Sequence, residues 1–337
     1  MKVTVVGAGV VGLSTAINIL ETVPAVDLTV IAEKFDDDTT SSGAGGHFRP
    51  NINHIDGVPK AKLKRWAMDS RDHFFSLAAS GASGESGTRF VSGYLLLDTP
   101  EEGVLEDIVL HFRRLSQQEM SSLKFNQRYG YVYTTVITEM KKYLKWLAAR
   151  IVDKGGKIQR RKLSSLQELC GVCDVVINCC GLGARQLVGD TNIRAVRGQL
   201  VKVRAPWVNM FYTSETRDGV STYVYPHSNI VNLGGSRQVG NTSLEPDLHL
   251  AEDIIRRTKH LVPALQGATV VEHWVGLRPT RTPIRIEQEV LHGNGADIMV
   301  VHNYGHGAQG ITLSWGTALE ATEIVRRWAQ SRRQCKL

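Results

Sequence analysis

The amino-acid sequence predicts an α/β fold: a discontinuous, Rossmann-like nucleotide-binding domain and a second domain built on a mostly antiparallel sheet. Three observations predict it. The chain opens on a short apolar strand that runs through Gly7-Ala8-Gly9-Val10-Val11-Gly12 into residues of helical character. Far along the chain a second apolar strand, 174–181, stops at another glycine turn, Gly181-Leu182-Gly183-Ala184. The β-rich pieces 198–203, 221–225 and 229–235 then follow one another with turn residues between them, the pattern of antiparallel pairing.

Each element has its own reason. In the opening turn Gly7 permits the tight bend, Gly9 lets backbone approach a pyrophosphate, and Gly12 brings helix close to strand. The free N–H groups and dipole of the helix that follows favour the negative phosphates. A second strand, 28–31, ends at Glu33, about twenty residues past the glycines, where an acid is expected to meet a ribose hydroxyl. Residues 34–46 hold hydroxyls and glycines without apolar periodicity, so they read as a loop suited to a second wrap around the phosphates. Asp36 to Asp38 read as solvated charge. Helical spacing marks 60–80, a Ser/Gly-rich loop 79–87, strands 90–97 and 131–136, and a helix ending near Gly155-Gly156. The last strand, 298–302, meets Gly305-His306-Gly307-Ala308-Gln309-Gly310, and a helix follows from about Thr312 to Trp328. His302 and His306 stand four apart without a carboxylate partner and read as backbone-bonding groups rather than metal ligands.

Composition excludes other classes. At 337 residues the chain is long enough for about two domains, and 42% hydrophobic with 22% charged residues describes an ordinary soluble protein. No apolar run approaches a membrane span, and no signal peptide is expected ahead of the first strand. The net charge of +7 suits anionic ligands; its basic residues are scattered, so nucleic acid is not expected as a partner. Five cysteines, an odd number, argue against a disulfide framework. Cys170 and Cys173 have no second pair at zinc-binding spacing, so no metal is expected.

With these pieces in order, the chain resembles the D-amino-acid oxidase family from Lys2 to about Trp328. The matching stretches are Val6 to Ser14, Val196-Arg197-Gly198-Gln199, Gly276-Leu277-Arg278-Pro279 and His302-Asn303-Tyr304-Gly305-His306-Gly307. The resemblance implies non-covalently bound FAD and oxidative deamination of D-amino acids by O2. It implies an FAD-binding domain from 1–55, 145–195 and 286–337, and a substrate-binding domain from 56–144 and 196–285. Residue by residue, Gly7, Ala8, Gly9, Val10, Val11 and Gly12 would hold the pyrophosphate, and Glu33 and Lys34 would lie near the adenosine ribose. Thr40, Ser41, Gly45, Gly46 and His47 would line phosphates and flavin, while Leu163, Cys180 and Gly181 would touch the adenosine side. Gly307, Ala308, Gly310, Ile311 and Thr312 would meet the isoalloxazine ring. Arg278 with Tyr223 would clamp the substrate α-carboxylate, a guanidinium fork aided by one phenol hydrogen bond.

The segment Thr216-Arg217-Asp218-Gly219 looks like that of family members acting on D-aspartate, which place an arginine here for the second carboxylate. The expected substrate is therefore an acidic D-amino acid; the alternative is a neutral one. Arg49 stands where relatives usually show an uncharged residue, either as a second cation for an acidic side chain or as a gate paired with a nearby acid. The sequence leaves both open. Asn51 and Ala308-Gln309 also depart from the D-aspartate pattern. The closing Cys335-Lys336-Leu337 resembles the peroxisomal Ser-Lys-Leu address and implies an import receptor as partner and the peroxisomal matrix as location.

Overall fold

The computed structural model describes residues 1–334 apart from Glu102 and Asn294, so the address read at Cys335-Lys336-Leu337 lies outside the described residues. One continuous mixed sheet runs through the molecule. Its parallel end is assembled from distant segments in the order β14 (Ala296–His306), β7 (Val175–Asn178), β1 (Lys2–Val6), β2 (Asp27–Ala32) and β6 (Lys157–Arg160). The three inner strands are covered on both faces, which is why they read as unbroken apolar runs instead of alternating ones. Four helices supply cover: α1 (Val10–Thr22), α2 (Lys60–Ala79), α5 (Met140–Asp153) and α8 (Gly310–Gln334). The short α6 (Ala184–Leu187) follows the second glycine turn.

Close approach dictates one helix pairing. A Cβ at Gly316 of α8 would lie 2.2 Å from the Trp66 carbonyl oxygen, so only glycine lets α2 lie this near α8. Trp66 is 1% exposed, and its indole N–H donates to Glu320 at 2.7 Å. Leu63, Trp66 and Phe74 share one core with Val3, Val5 and Val30. Thus α2, within the span expected on the substrate side, packs with the nucleotide-binding strands. Periodicity shows that a helix buries one face but not which partner covers it.

The antiparallel end comprises β4 (Leu110–Arg114), β5 (Tyr129–Thr138), β3 (Thr88–Leu97), β9 (Phe211–Glu215), β10 (Ser221–Pro226), β11 (Val231–Gly234), β8 (Arg194–Arg204) and β13 (Thr269–Gly293), in that order. Only β3–β9 is parallel within it, and β12 (Gln238–Val239) adds to the edge of β8. Short α3 (Ser83–Ser86) interrupts the stretch expected as loop. Ser116 and Glu119 form a capping box at α4 (Gln117–Ser122), and Asp247 caps α7 (Leu248–Leu261). A second core under α7 includes Val201, Val203, Val224, Leu233 and Ile254. No helix among the described residues is long and apolar enough to cross a membrane.

Candidate active site

The carboxyl ends of β1, β2, β7 and β14 open on one side, the place where parallel sheets receive ligands. At the end of β1, Gly7 has φ +114°, and a Cβ there would lie 2.4 Å from the Cys179 carbonyl oxygen. One at Gly12 would lie 2.0 Å from the Gly7 carbonyl oxygen. Gly9 precedes α1 without a side-chain cap, so the first helical N–H groups are left for a ligand or a neighbour. Val10 N–H donates to Ser41 Oγ at 3.1 Å, which draws the 39–46 loop over the helix start. Ala8 and Val10 are buried and Val11 is half-buried. Leu163 packs with Val6 and Ile31 beneath these strand ends, with Cys180 against the same cluster. Gly181, at φ +57°, bends the chain away from β7. Glu33 is exposed and paired with Lys162 at 3.0 Å; Lys34 and Thr40 are exposed too, Thr40 hydroxyl donating to the Leu277 carbonyl. These residues fit a dinucleotide: backbone donors at a glycine cradle, an acid beyond β2, and a second loop across the phosphate position.

The seat of Arg278, expected to clamp a carboxylate, is equally dependent on glycine. Arg278 on β13 lies across Gly198 of β8, where a Cβ would meet its guanidinium at 2.3 Å. Arg278 Nη1 donates to the carbonyls of Ser236 at 3.1 Å and Arg197 at 3.4 Å. The Tyr223 phenol lies beside the same guanidinium, which acts on it electrostatically, and its ring fills the space over Gly234 and Gly235. Burial raises the Tyr223 phenol above its ordinary range, while Arg278 opposes that shift. Arg197, from the same motif as Gly198, is fully buried. It donates to Ser243, Gln238, Gln199 and Glu245, so it shapes the wall rather than facing a ligand.

Stacked rings extend from the clamp: Tyr223 on Tyr225 at 4.5 Å, and Tyr225 on His47 at 4.5 Å. Both His47 ring nitrogens and the Tyr133 hydroxyl are buried without a hydrogen-bond partner from the protein. Burial, with Arg49 nearby, pushes the His47 imidazole down to about 3, so it is neutral. Gly45 leaves room for the Tyr225 ring, and Gly46, at φ +69°, passes against the Thr138 carbonyl. Arg49 forms a two-pronged pair with Glu215, at 2.6 and 3.2 Å. Of the two readings the sequence left open for Arg49, the pairing with a nearby acid is present. Arg217 sits on the exposed turn after β9, its N–H donating to Asp98.

One 3-10 turn, Gly307–Gln309, precedes α8, which starts at Gly310, two residues earlier than the periodicity suggested. Ala308 is exposed, Gly310 and Ile311 are half-buried and Thr312 is buried. Gln309 accepts the Asn51 N–H at 3.2 Å, tying this turn to the loop that carries His47 and Arg49. The two histidines bond side chains, not backbone: His302 meets Glu289 and Asn178, and His306 meets Thr317. Sequence reasoning missed Glu215 and Trp274. The Trp274 ring lies where side chains on Gly43 or Gly276 would stand, and only that pair of glycines in flanking segments signalled it.

Comparison with known proteins agrees with this geometry. A family profile described as FAD dependent oxidoreductase matches residues 2–324. D-aspartate oxidase of Homo sapiens is 43% identical over 96% of this chain and 94% of its own length. D-amino-acid oxidase of Rubrobacter xylanophilus is 37% identical over 96% and 95%. Among solved structures, glycine oxidase from Geobacillus kaustophilus superposes with a TM-score of 0.76 at 20% identity, covering 96% of this chain and 94% of that one, a likeness of fold. The chain therefore belongs to the FAD-dependent oxidoreductases, in the branch that holds the amino-acid oxidases, and its cofactor is FAD.

Proposed function

We propose that the protein oxidises acidic D-amino acids, converting D-aspartate, O2 and water to oxaloacetate, ammonia and hydrogen peroxide. The observation that carries the reading of an amino-acid substrate is the guanidinium of Arg278 seated on Gly198 with the Tyr223 phenol beside it. FAD supplies the two-electron acceptor for the hydrogen on Cα. The protein then has to orient and desolvate rather than provide a reactive group. Arg278 and Tyr223 would fix the α-carboxylate and so aim Cα–H. His47, neutral and unpartnered, adds no charge to compete with the clamp. Gly307, Ala308 and the first turn of α8 would present N–H groups and the positive end of the helix dipole to the cofactor.

Acidic preference rests on Arg217, on the turn that follows β9, as receptor for the far carboxylate. Arg217 is exposed in this structure, so the pair reaches the buried-pair value of about 2–5 kcal/mol, roughly 30- to several-thousand-fold in affinity, only where bound substrate covers it. Neutral D-amino acids are the second reading, favoured by the exposure of Arg217 and the pairing of Arg49. Peroxide release from the yellow protein over a D-amino-acid panel separates the two. The acidic reading expects D-aspartate first and Arg217→Leu to lower its kcat/KM at least thirtyfold; D-alanine or D-proline ahead of D-aspartate sinks it. We also place the protein in the peroxisomal matrix through Cys335-Lys336-Leu337, supported by peroxide as product. Removing these three residues from a fluorescent fusion should leave it outside peroxisomes.

A further inference from the structure

Arg49 and Glu215 lie 166 positions apart in the chain, one in the loop after Gly46, the other at the end of β9. Their side chains are only 14% and 30% exposed, and both nitrogens of the guanidinium fork face both carboxylate oxygens. Glu215 holds Arg49 above its ordinary range, while burial works the other way. The pair lies beside the candidate site. Arg49 acts electrostatically on Tyr133 and Tyr225, Tyr225 stacks on Tyr223, and Arg278 acts electrostatically on Tyr223. Through Asn51 and Gln309, the same loop touches the turn that opens α8. A guanidinium gripped along its fork by one carboxylate offers little to another, and the pair has no net charge.

We propose that Glu215 is a specificity-determining residue: by occupying Arg49 it makes the side-chain carboxylate of an acidic D-amino acid compete for that cation, and so limits the preference for acidic over neutral substrates. This rests on the acidic-substrate reading only in requiring that the far end of a substrate lie along the His47–Tyr225 wall. The carboxylate of Glu215 sits two residues before Arg217, so one short segment carries both the group that would attract a dianion and the group that tempers the attraction.

Glu215→Gln tests it, because the amide keeps the size and an acceptor but removes the charge. The expected result is a rise of about tenfold in the ratio of kcat/KM for D-aspartate over D-alanine, carried mainly by KM. Binding gives a readout free of turnover: titrating the flavin absorbance with succinate and with propionate should show the same gain in dicarboxylate selectivity. Arg49→Gln, which leaves the Glu215 carboxylate without that cation, should shift both ratios about tenfold the other way. The double variant R49Q/E215Q, with no charge left in the pair, should fall between the two singles and serves if E215Q alone does not fold. The proposal is overturned if both ratios in E215Q, or in R49Q/E215Q relative to R49Q, stay within twofold. It is also overturned if E215Q loses turnover of D-arginine or D-lysine and gains nothing on diacids, since Glu215 would then be a receptor for cations. A wild-type preference for D-alanine together with a succinate shift in E215Q would defeat the acidic reading and leave this one standing. D-aspartate preference with no E215Q effect would do the reverse.

Discussion

Replacing Gly198 by alanine should disable substrate binding while leaving the fold intact. An added Cβ would stand 2.3, 2.4 and 2.5 Å from Nη2, Cζ and Nη1 of Arg278, too close for any of them to stay. All three atoms belong to the far end of a flexible side chain, so the guanidinium slides away by about an ångström while β8 keeps its ladder to β13. Alanine also adapts to a strand slightly better than glycine, by about 0.5–1 kcal/mol, which offsets the weakened bonds to Ser236 and Arg197. Misplacing a positioning group by about an ångström costs on the order of a hundredfold in rate. Gly198→Ala should therefore lower kcat/KM for the best substrate about a hundredfold, comparably to Arg278→Lys, with flavin content and Tm near those of the wild type. Steady-state peroxide release and a thermal melt on the same preparation decide. Activity within threefold of wild type would show that the clamp does not lie on Gly198. A large fall in Tm would show that the glycine serves the sheet and not the site.

Other perturbations separate cofactor binding from stability. In Gly12→Ala the clash is with backbone, 2.0 Å from the Gly7 carbonyl oxygen, so α1 must part from the β1 turn. The purified variant should lose most of its flavin absorbance per protein and about 1–3 kcal/mol of stability; full flavin occupancy would refute the cradle. Acid should destabilise the protein well above the carboxylate range. Burial holds His47 and His73 down to about 3 and His306 to about 4, against about 6.5 unfolded. The unfolded chain then binds more protons, so stability is complete above about pH 6.5 and falls as pH drops toward 4. Each imidazole contributes about 2 kcal/mol of loss by pH 5. A urea midpoint that does not move between pH 8 and pH 5 would contradict this.

What could be read in the sequence divides along a physical line. The Gly7–Gly12 turn, a strand within 174–181 and a helix over about 60–80 were legible because period and glycine spacing are local properties. The mixed sheet was legible in class, since unbroken apolar runs and alternating ones imply different neighbours. Pairing across long separations was not. Arg49 showed itself as an unusual cation, but Glu215, 166 positions away, carries no signal that it will meet that cation. His302 and His306 illustrate the same limit: four-residue spacing says nothing of Glu289 or Thr317, which pair with them through sheet and helix packing. Arg197 was read only as part of a matching motif, and its burial among four acceptors emerges from the loop 236–247 folding over β8.

One strand makes the site possible, and the sequence reading passed over it as an element. Residues 269–280 of β13 pair with β8, while 285–293 pair with β14, and the register breaks between Thr280 and Arg285. The antiparallel wall and the parallel cofactor end are thus halves of one hydrogen-bonded surface, and Arg278 stands two residues before the break. At the break, Asp190 accepts from Arg281 at 2.6 Å and from the Tyr304 hydroxyl at 2.7 Å, fastening the irregular stretch to β14 just ahead of the Gly307–Gln309 turn. A clamp on a flexible loop would lose its aim whenever the two units shifted. Placed on the strand that joins them, the guanidinium moves with the turn that opens α8; where Arg278 holds the carboxylate and that turn meets the flavin, as proposed, their separation would be set by strand geometry rather than by loop closure.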